Sequence, residues 1–308
     1  MKNINFYKIE IEPDKNRRLD QIIASELPEY SRSRIKHWII NNNITINGKS
    51  CSPKDRISSK SIIEIKILEN EELDIKPQKI DLEILFEDKD LLIVNKKSGM
   101  VTHTAPGHYD STLQNALLYH YPDLKNVPRA GIIHRLDKNT SGLIIIARNL
   151  ISHNLLVNQM KNKLIKKKYI AFVTGLVEKN QIIKNKISRH RINRIKMCIS
   201  DSGKESISKI KIIERFEKAS FLDIELVTGR THQIRVHLLS KECPILGDRK
   251  YKFFKIKENK FYKEDYKMHL HAKSISFKLR DKIYSFEANL PNHFIKTLRD
   301  NKFKTLFK

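Results

Sequence analysis

The chain has 308 residues, 40 % apolar and 31 % charged, which allows two domains or one large domain with a small attachment, and a soluble globular core. No run is long or apolar enough to span a bilayer. Residues 1–18 alternate charged and apolar side chains without the apolar core of a secretory signal, so the expected home is the cytoplasm, with no membrane partner. Lys and Arg number 60 against 35 Asp and Glu, a formal charge of +25. That excess favours a polyanionic partner, because each neutralised phosphate releases counterions; the chain's richness in Lys, Ile and Asn also raises the charge on its own. Cys51, Cys198 and Cys243 lie far apart with no Cys-x-x-Cys spacing, which argues against a disulfide framework and a structural zinc site.

Two helical patterns come first. Leu19, Ile22, Ile23 and Leu27 recur at helical spacing, and a second helix follows Ser31, a natural N-cap, through Ile40. Short strands follow at 44–46 and 62–65, with Asn47-Gly48 supplying a turn after the first. Arg32, Arg34, Lys36 and Lys49 leave one face of this helix–helix–strand–strand unit basic. Residues 69–79 are polar, contain Pro77 and show no periodicity, which reads as a linker. Beyond residue 80 come strands at 82–86, 91–94, 142–147, 168–173, 206–213, 221–226, 233–237 and 273–277, with helices at 112–119 and 151–161. Residues 292–308 form a basic helix or tail. Strands outnumber helices without alternating with them, so the expected fold is α+β, a mixed and mainly antiparallel sheet with flanking helices.

Nucleotide-cofactor and phosphate-loop glycine patterns are absent, as are a Gly-x-Ser-x-Gly elbow and a His-Glu-x-x-His zinc helix. What stands out is Gly131-Ile132-Ile133-His134-Arg135-Leu136-Asp137-Lys138-Asn139-Thr140-Ser141-Gly142-Leu143, which sets a carboxylate beside His134 and Arg135 in a polar turn before an apolar strand. A second cluster is Thr228-Gly229-Arg230-Thr231-His232-Gln233-Ile234-Arg235-Val236-His237. As a strand, its residues 233–237 would put Gln233, Arg235 and His237 on one face. In Lys167-Lys168-Tyr169-Ile170-Ala171-Phe172-Val173, Tyr169 points to the side of Ala171 and Val173. Ordinary structural roles compete at each place. An Asp in a turn caps it, a strand Tyr fills core, and a strand Arg forms a surface ion pair. The histidines have no recognised ligand spacing, so no metal is expected.

The run His134-Arg135-Leu136-Asp137-Lys138-Asn139-Thr140-Ser141-Gly142-Leu143 resembles the signature of the RluA-type pseudouridine synthases. Residues 229–237, followed by Pro244-Ile245-Leu246-Gly247-Asp248, resemble the family's second block, and Tyr169 stands where the family places an active-site tyrosine. Residues 29–36 and 46–49 resemble the small RNA-binding domain named after ribosomal protein S four. Lys97, the sequence 103–107 and Lys252 depart from the family's usual residues. The resemblance implies an RNA-binding domain at 1–68, a linker at 69–79, a catalytic domain at 80–298 and a basic tail at 299–308. It also implies a monomer that needs no cofactor and isomerises a cluster of uridines in a domain IV stem-loop of 23S ribosomal RNA.

In that chemistry the base–ribose bond breaks, the uracil turns while bound, and it rejoins through its fifth ring carbon. Asp137 is then the catalytic carboxylate, attacking the anomeric carbon, attacking the ring, or removing a sugar proton. Arg235 favours its ionised form and orients it. Tyr169 stacks on the uracil and helps remove the proton from the new attachment point. Arg135 fills the space vacated by an extruded base, while His134 shapes the turn or contacts RNA. Arg230, His232, the run 163–168 and the cluster Arg189, Arg191, Arg194 and Lys196 join Arg32, Arg34, Lys36 and Lys49 as RNA contacts. Two rival readings are a catalytically silent RNA-binding or ribosome-assembly factor, and a glycoside hydrolase, which would want a second acid that neither motif offers.

Overall fold

The computed structural model describes residues 4–27, 30, 32–68, 75–105, 108–252 and 267–301. Ser31, the side chain of Arg34, residues 69–74, Pro106, Gly107 and the end of the basic tail lie outside the described residues. The chain divides into two compact units, Met1–Asp74 and Ile75–Lys308.

In the first unit, β1 (Ile4–Ile11) pairs antiparallel with β4 (Ser61–Leu68) along its whole length. The alternation of charged and apolar residues here is thus a strand's period of two, and the expected helix–helix–strand–strand unit gains a strand at its start. β2 (Ile44–Ile46) lies on the other side of β4 and turns into β3 (Lys49–Ser50) through Asn47 and Gly48. Both turn residues have positive φ, as the two-residue hairpin turn requires. α1 (Leu19–Glu26) and α2 (Arg32–Ile40) bury Leu19, Ile22, Ile23, Ile35, Trp38 and Ile39 against Ile44, Ile63 and Ile65 of the sheet.

The second unit is built on one ten-stranded sheet. In chain order its strands are β5 (Ile84–Glu87), β6 (Leu91–Lys96), β7 (Ser141–Ala147), β8 (Lys166–Thr174) and β9 (Gln181–Arg189). These are followed by β10 (Met197–Ile199), β11 (Lys204–Phe216), β12 (Ala219–Leu226), β13 (Leu270–Leu279) and β14 (Lys282–Glu287). Across the sheet they run β10-β9-β11-β12-β8-β13-β7-β6-β5, with β14 paired to β13. Every pairing is antiparallel except β13 with β7. The mixed, mainly antiparallel sheet with flanking helices expected from the sequence is present.

β7 is buried along its whole length, which explains why it reads as a continuous apolar run. Ile144 and Ile146 face one core with Tyr169, Ala171 and Val173 of β8; Leu143 and Ile145 face a second core with Leu156 of helix α4 (Leu150–Lys161). The remaining α-helices among the described residues are α3 (Leu113–His120), α5 (Gln233–Leu239) and α6 (Asn292–Asp300). Residues 233–237 are therefore the first part of α5, which corrects the expected strand. All of 233–238 are buried, so no exposed face marks the helical period, and Ile234 and Val236 bias the pattern toward a strand.

Candidate active site

The loop leading into β7 carries His134, Arg135 and Asp137, and it is fixed by bonds from several directions. The Thr102 hydroxyl donates to the Leu136 carbonyl at 2.8 Å and accepts from the Leu136 amide at 3.3 Å. Lys96, at the end of β6, is wholly buried, and its Nζ donates to the carbonyls of Met100 at 2.8 Å, Lys97 at 2.9 Å and Lys138 at 3.2 Å. The Ser98 hydroxyl donates to the Asn139 carbonyl at 2.8 Å. Residues on both sides of Asp137 are thus held by buried donors. Burial pushes the Lys96 amine down to about 7, against the pull of the Asp137 charge.

His134 is turned inward. Its Nε2 accepts the Ile145 amide at 3.1 Å, so the ring is neutral and shapes the turn. Burial, then the Lys167 charge, pushes it down to about 3.

Asp137 meets Arg235 from α5. Arg235 Nη1 donates to Asp137 Oδ2 at 2.9 Å, while Nε and Nη2 donate to the two carboxylate oxygens of Asp248 at 2.7 and 2.8 Å. Arg235 and Asp248 are almost fully buried. Burial opposes the guanidinium's charge, but the bonds and charges of Asp248 and then Asp137 outweigh it and raise Arg235 above its ordinary value. The helix also separates residues that a strand would align. Gln233 and His237, four apart, both bond the Ser208 hydroxyl, at 2.9 and 3.0 Å, while Arg235 turns to the carboxylates. Gln233 and His237 therefore brace α5 against β11.

Asp137, Tyr169, His232 and Arg235 line one cavity of about 310 Å³. Arg129, Arg135, Lys167 and Arg230 line it too, beside the neutral His134, giving it a strongly cationic wall. Burial, and secondarily the Asp137 charge, raises the Tyr169 hydroxyl well above its ordinary value, so it is a neutral phenol. His232 Nε2 stands 3.8 Å from Asp137 Oδ2, and burial pushes the ring down to about 4. Arg135 is exposed at the rim. Arg230 gives its Nε to the Glu205 carbonyl at 3.0 Å.

Of the other expected RNA contacts in the second unit, Lys167 of the run 163–168 is the one already met in the cavity lining. Arg191 is exposed in the turn between β9 and β10. In the first unit, Lys36 and Lys49 are exposed, whereas Arg32 donates to the buried Asp20 at 2.9 Å. Asp248, Lys96 and Tyr251 are site residues that sequence reasoning missed. Asp248 belongs to a quoted motif, but nothing in the sequence pairs it with Arg235. Lys96 ends an apolar strand and reads as an ordinary surface lysine. Among the described residues no group of His, Cys, Asp and Glu could hold a metal ion, and no helix is long and apolar enough to cross a membrane.

Comparison with known proteins fixes the class. The model of the RNA pseudouridylate synthase family matches residues 90–240, and that of the S4 domain matches residues 17–63. The chain belongs to the RluA-type RNA pseudouridylate synthases, which are isomerases. It is 42 % identical over 231 residues to ribosomal large subunit pseudouridine synthase D of Pseudomonas aeruginosa, covering 75 % of this chain and 72 % of the relative. It is also 42 % identical over 287 residues to the protein of that name from Buchnera aphidicola, covering 89 % and 91 %. Among solved structures, human RNA pseudouridylate synthase domain containing 1 superposes with a TM-score of 0.58 at 25 % identity, covering 70 % of this chain and 85 % of that one.

Proposed function

We propose that this enzyme converts uridine to pseudouridine in large-subunit ribosomal RNA, with Asp137 as its catalytic carboxylate. The observation that carries the reading is the chain Asp137–Arg235–Asp248 set beside Tyr169 in a cationic cavity. The names of the relatives support the substrate class, and the family resemblance supports the finer target, a cluster of uridines in a domain IV stem-loop of 23S ribosomal RNA.

The target nucleotide is extruded from its stem, at a cost of roughly a few kcal/mol, and its uracil enters the cavity against the Tyr169 ring. Arg135, exposed at the rim, fills the vacated space. Arg235 holds Oδ2 of Asp137, whereas Oδ1 accepts no hydrogen bond among the described residues and is the oxygen that acts. The base–ribose bond breaks, the uracil turns and rejoins through its fifth ring carbon, and the proton displaced from that carbon moves to the ring nitrogen released. Atoms balance without an oxidant, a reductant or water. Outside the cavity, Arg191 and its neighbours grip phosphates. Residues 1–68, tethered by 69–79, add a second RNA grip through Lys36 and Lys49, raising the RNA's effective concentration at the site.

Asp137→Asn is expected to bind large-subunit ribosomal RNA as the parent does and to form no pseudouridine in it. Retained isomerisation would exclude Asp137 from the chemistry. Mapping pseudouridines in ribosomal RNA from cells with and without the protein identifies the target uridines; an identical map would remove the proposed substrate.

A further inference from the structure

Tyr251 lies outside the three residues of the proposed chemistry, yet it touches two of the groups around Asp137. Its ring stacks 4.8 Å from the Arg235 guanidinium, and its hydroxyl lies 2.8 Å from His232 Nδ1. The same hydroxyl accepts the Met197 amide at 2.7 Å. The Tyr251 amide donates to Asp248 Oδ1 at 3.1 Å, which fixes the backbone that carries the ring. Only 4 % of Tyr251 is exposed.

A phenol has one proton to give. The Met197 amide already uses the hydroxyl as an acceptor, so the phenolic proton needs an acceptor of its own. Among the described residues the one within reach is His232 Nδ1. Were Nδ1 protonated, the two hydrogens would face each other and the phenolic proton would be buried without a partner, an arrangement that proteins avoid. Nδ1 must then carry the lone pair. The ring is neutral, so its single proton sits on Nε2, the nitrogen 3.8 Å from Asp137 Oδ2.

We propose that Tyr251 is a positioning residue that holds neutral His232 as its Nε2–H tautomer, with the N–H aimed at Asp137 Oδ2. At 3.8 Å the N–H makes no direct hydrogen bond; a small movement on substrate binding closes the gap. Oδ2 then has two donors, Arg235 and His232, and the negative charge available for reaction concentrates on Oδ1. His232 has no freedom to present a lone pair instead, because its other nitrogen is committed to Tyr251. The backbone at His232 reinforces the placement. It adopts φ +55, a left-handed conformation uncommon for a side chain of this size, which turns the imidazole toward the cavity as α5 begins.

The functional consequence rests on the reading of Asp137 given above; the tautomer does not. The deciding measurement is therefore the nitrogen-15 spectrum of the histidine rings in the full-length protein near neutral pH, with the His232 signals assigned by their loss in His232→Gln. The expected spectrum shows a protonated Nε2 and an unprotonated Nδ1. A proton on Nδ1 overturns the proposal whether or not any variant folds. In Tyr251→Phe, which keeps the ring over Arg235, the His232 signals should shift to a mixture of both tautomers. With ribosomal RNA fragments as substrate, its kcat should fall on the order of tenfold while KM stays within about twofold. A variant with the parent's tautomer and kcat would also overturn it. If the parent forms no pseudouridine at all, the function proposed above fails, while the spectrum still decides the tautomer.

Discussion

Arg235 lies flat against Asp248, giving Nε and Nη2 to the two carboxylate oxygens and leaving Nη1 for Asp137. One guanidinium thus takes its orientation from a buried acid and passes it to the carboxylate in the cavity. A bidentate pair fixes the plane of both partners, which a point charge cannot do.

Arg235→Lys keeps the charge and loses the fork. An ammonium can reach Asp137 or Asp248, but it cannot bond both oxygens of Asp248 in one plane and still face Asp137. The expected result is a fall in kcat on the order of 100-fold, comparable to losing one preorganised donor. Single-turnover rates with saturating RNA measure this. Parental rates would show that charge alone suffices.

Local pattern left Asp137, Tyr169 and Arg235 open to ordinary structural roles; the family resemblance singled them out, and the structure brings all three to one cavity. Asp137 precedes the buried strand β7, and Tyr169 lies in β8 in the same core as Ala171 and Val173, the side expected of it. Arg235 was legible as a residue and misread as an element. Complete burial of 233–238 erases the periodicity that separates helix from strand, and β-branched Ile234 and Val236 tilt the balance the wrong way. Asp248, Lys96 and Tyr251 escaped for a different reason. Their roles exist only once distant segments meet: Lys96 bonds a carbonyl 42 residues away, and Tyr251 bonds an amide 54 residues away. Local pattern carries no record of such pairings. Strand β1 lies in a stretch whose alternation of charged and apolar residues is itself a strand's period of two.

Acid should unfold the second unit early. His269 and His271 are completely buried, and burial pushes each from 6.5 down to about 4. A base with a lowered folded pKa binds fewer protons folded than unfolded. Stability is therefore lost as pH falls below about 6.5, and the loss continues until the folded rings titrate near 4. Each contributes at most 1.36 kcal/mol per pH unit, so the pair removes about 3 kcal/mol per unit across the middle of that window. His237, buried and pushed down to about 4 as well, acts in the same direction. Urea midpoints measured from pH 7 to 4.5 should fall steeply, and a flat profile would contradict neutral buried rings.

Lys36 and Lys49 are exposed in the first unit, where the proposed second RNA grip lies. Replacing both with alanine removes up to two phosphate contacts. The slope of log K against log salt should become shallower by about 1 to 2, with weaker binding of all RNA sequences alike. Binding titrations at several salt concentrations test this. An unchanged slope would take both lysines out of the RNA interface.

Gly142 ties the fold to the site most directly. It follows the Asp137 loop at the start of β7 and pairs with Ala272 in the sheet's one parallel contact among the described strands. Its φ of +112 is a conformation that side chains rarely adopt, and an added Cβ would run into the Ala272 backbone, 2.7 Å from its carbonyl carbon and closer still to the oxygen. Backbone of a central strand cannot yield as a flexible side chain would. Gly142→Ala should therefore combine dihedral strain with overpacking and destabilise the second unit by roughly 3 kcal/mol or more. Gly99, whose amide also braces the loop through the Lys138 carbonyl, is the matched control. It has φ +93 but open space where a Cβ would lie, so Gly99→Ala should cost strain alone, about 1–2 kcal/mol. Urea denaturation of the two variants separates the terms. Equal losses would mean that the close approach of β7 and β13 adds nothing to the requirement for glycine.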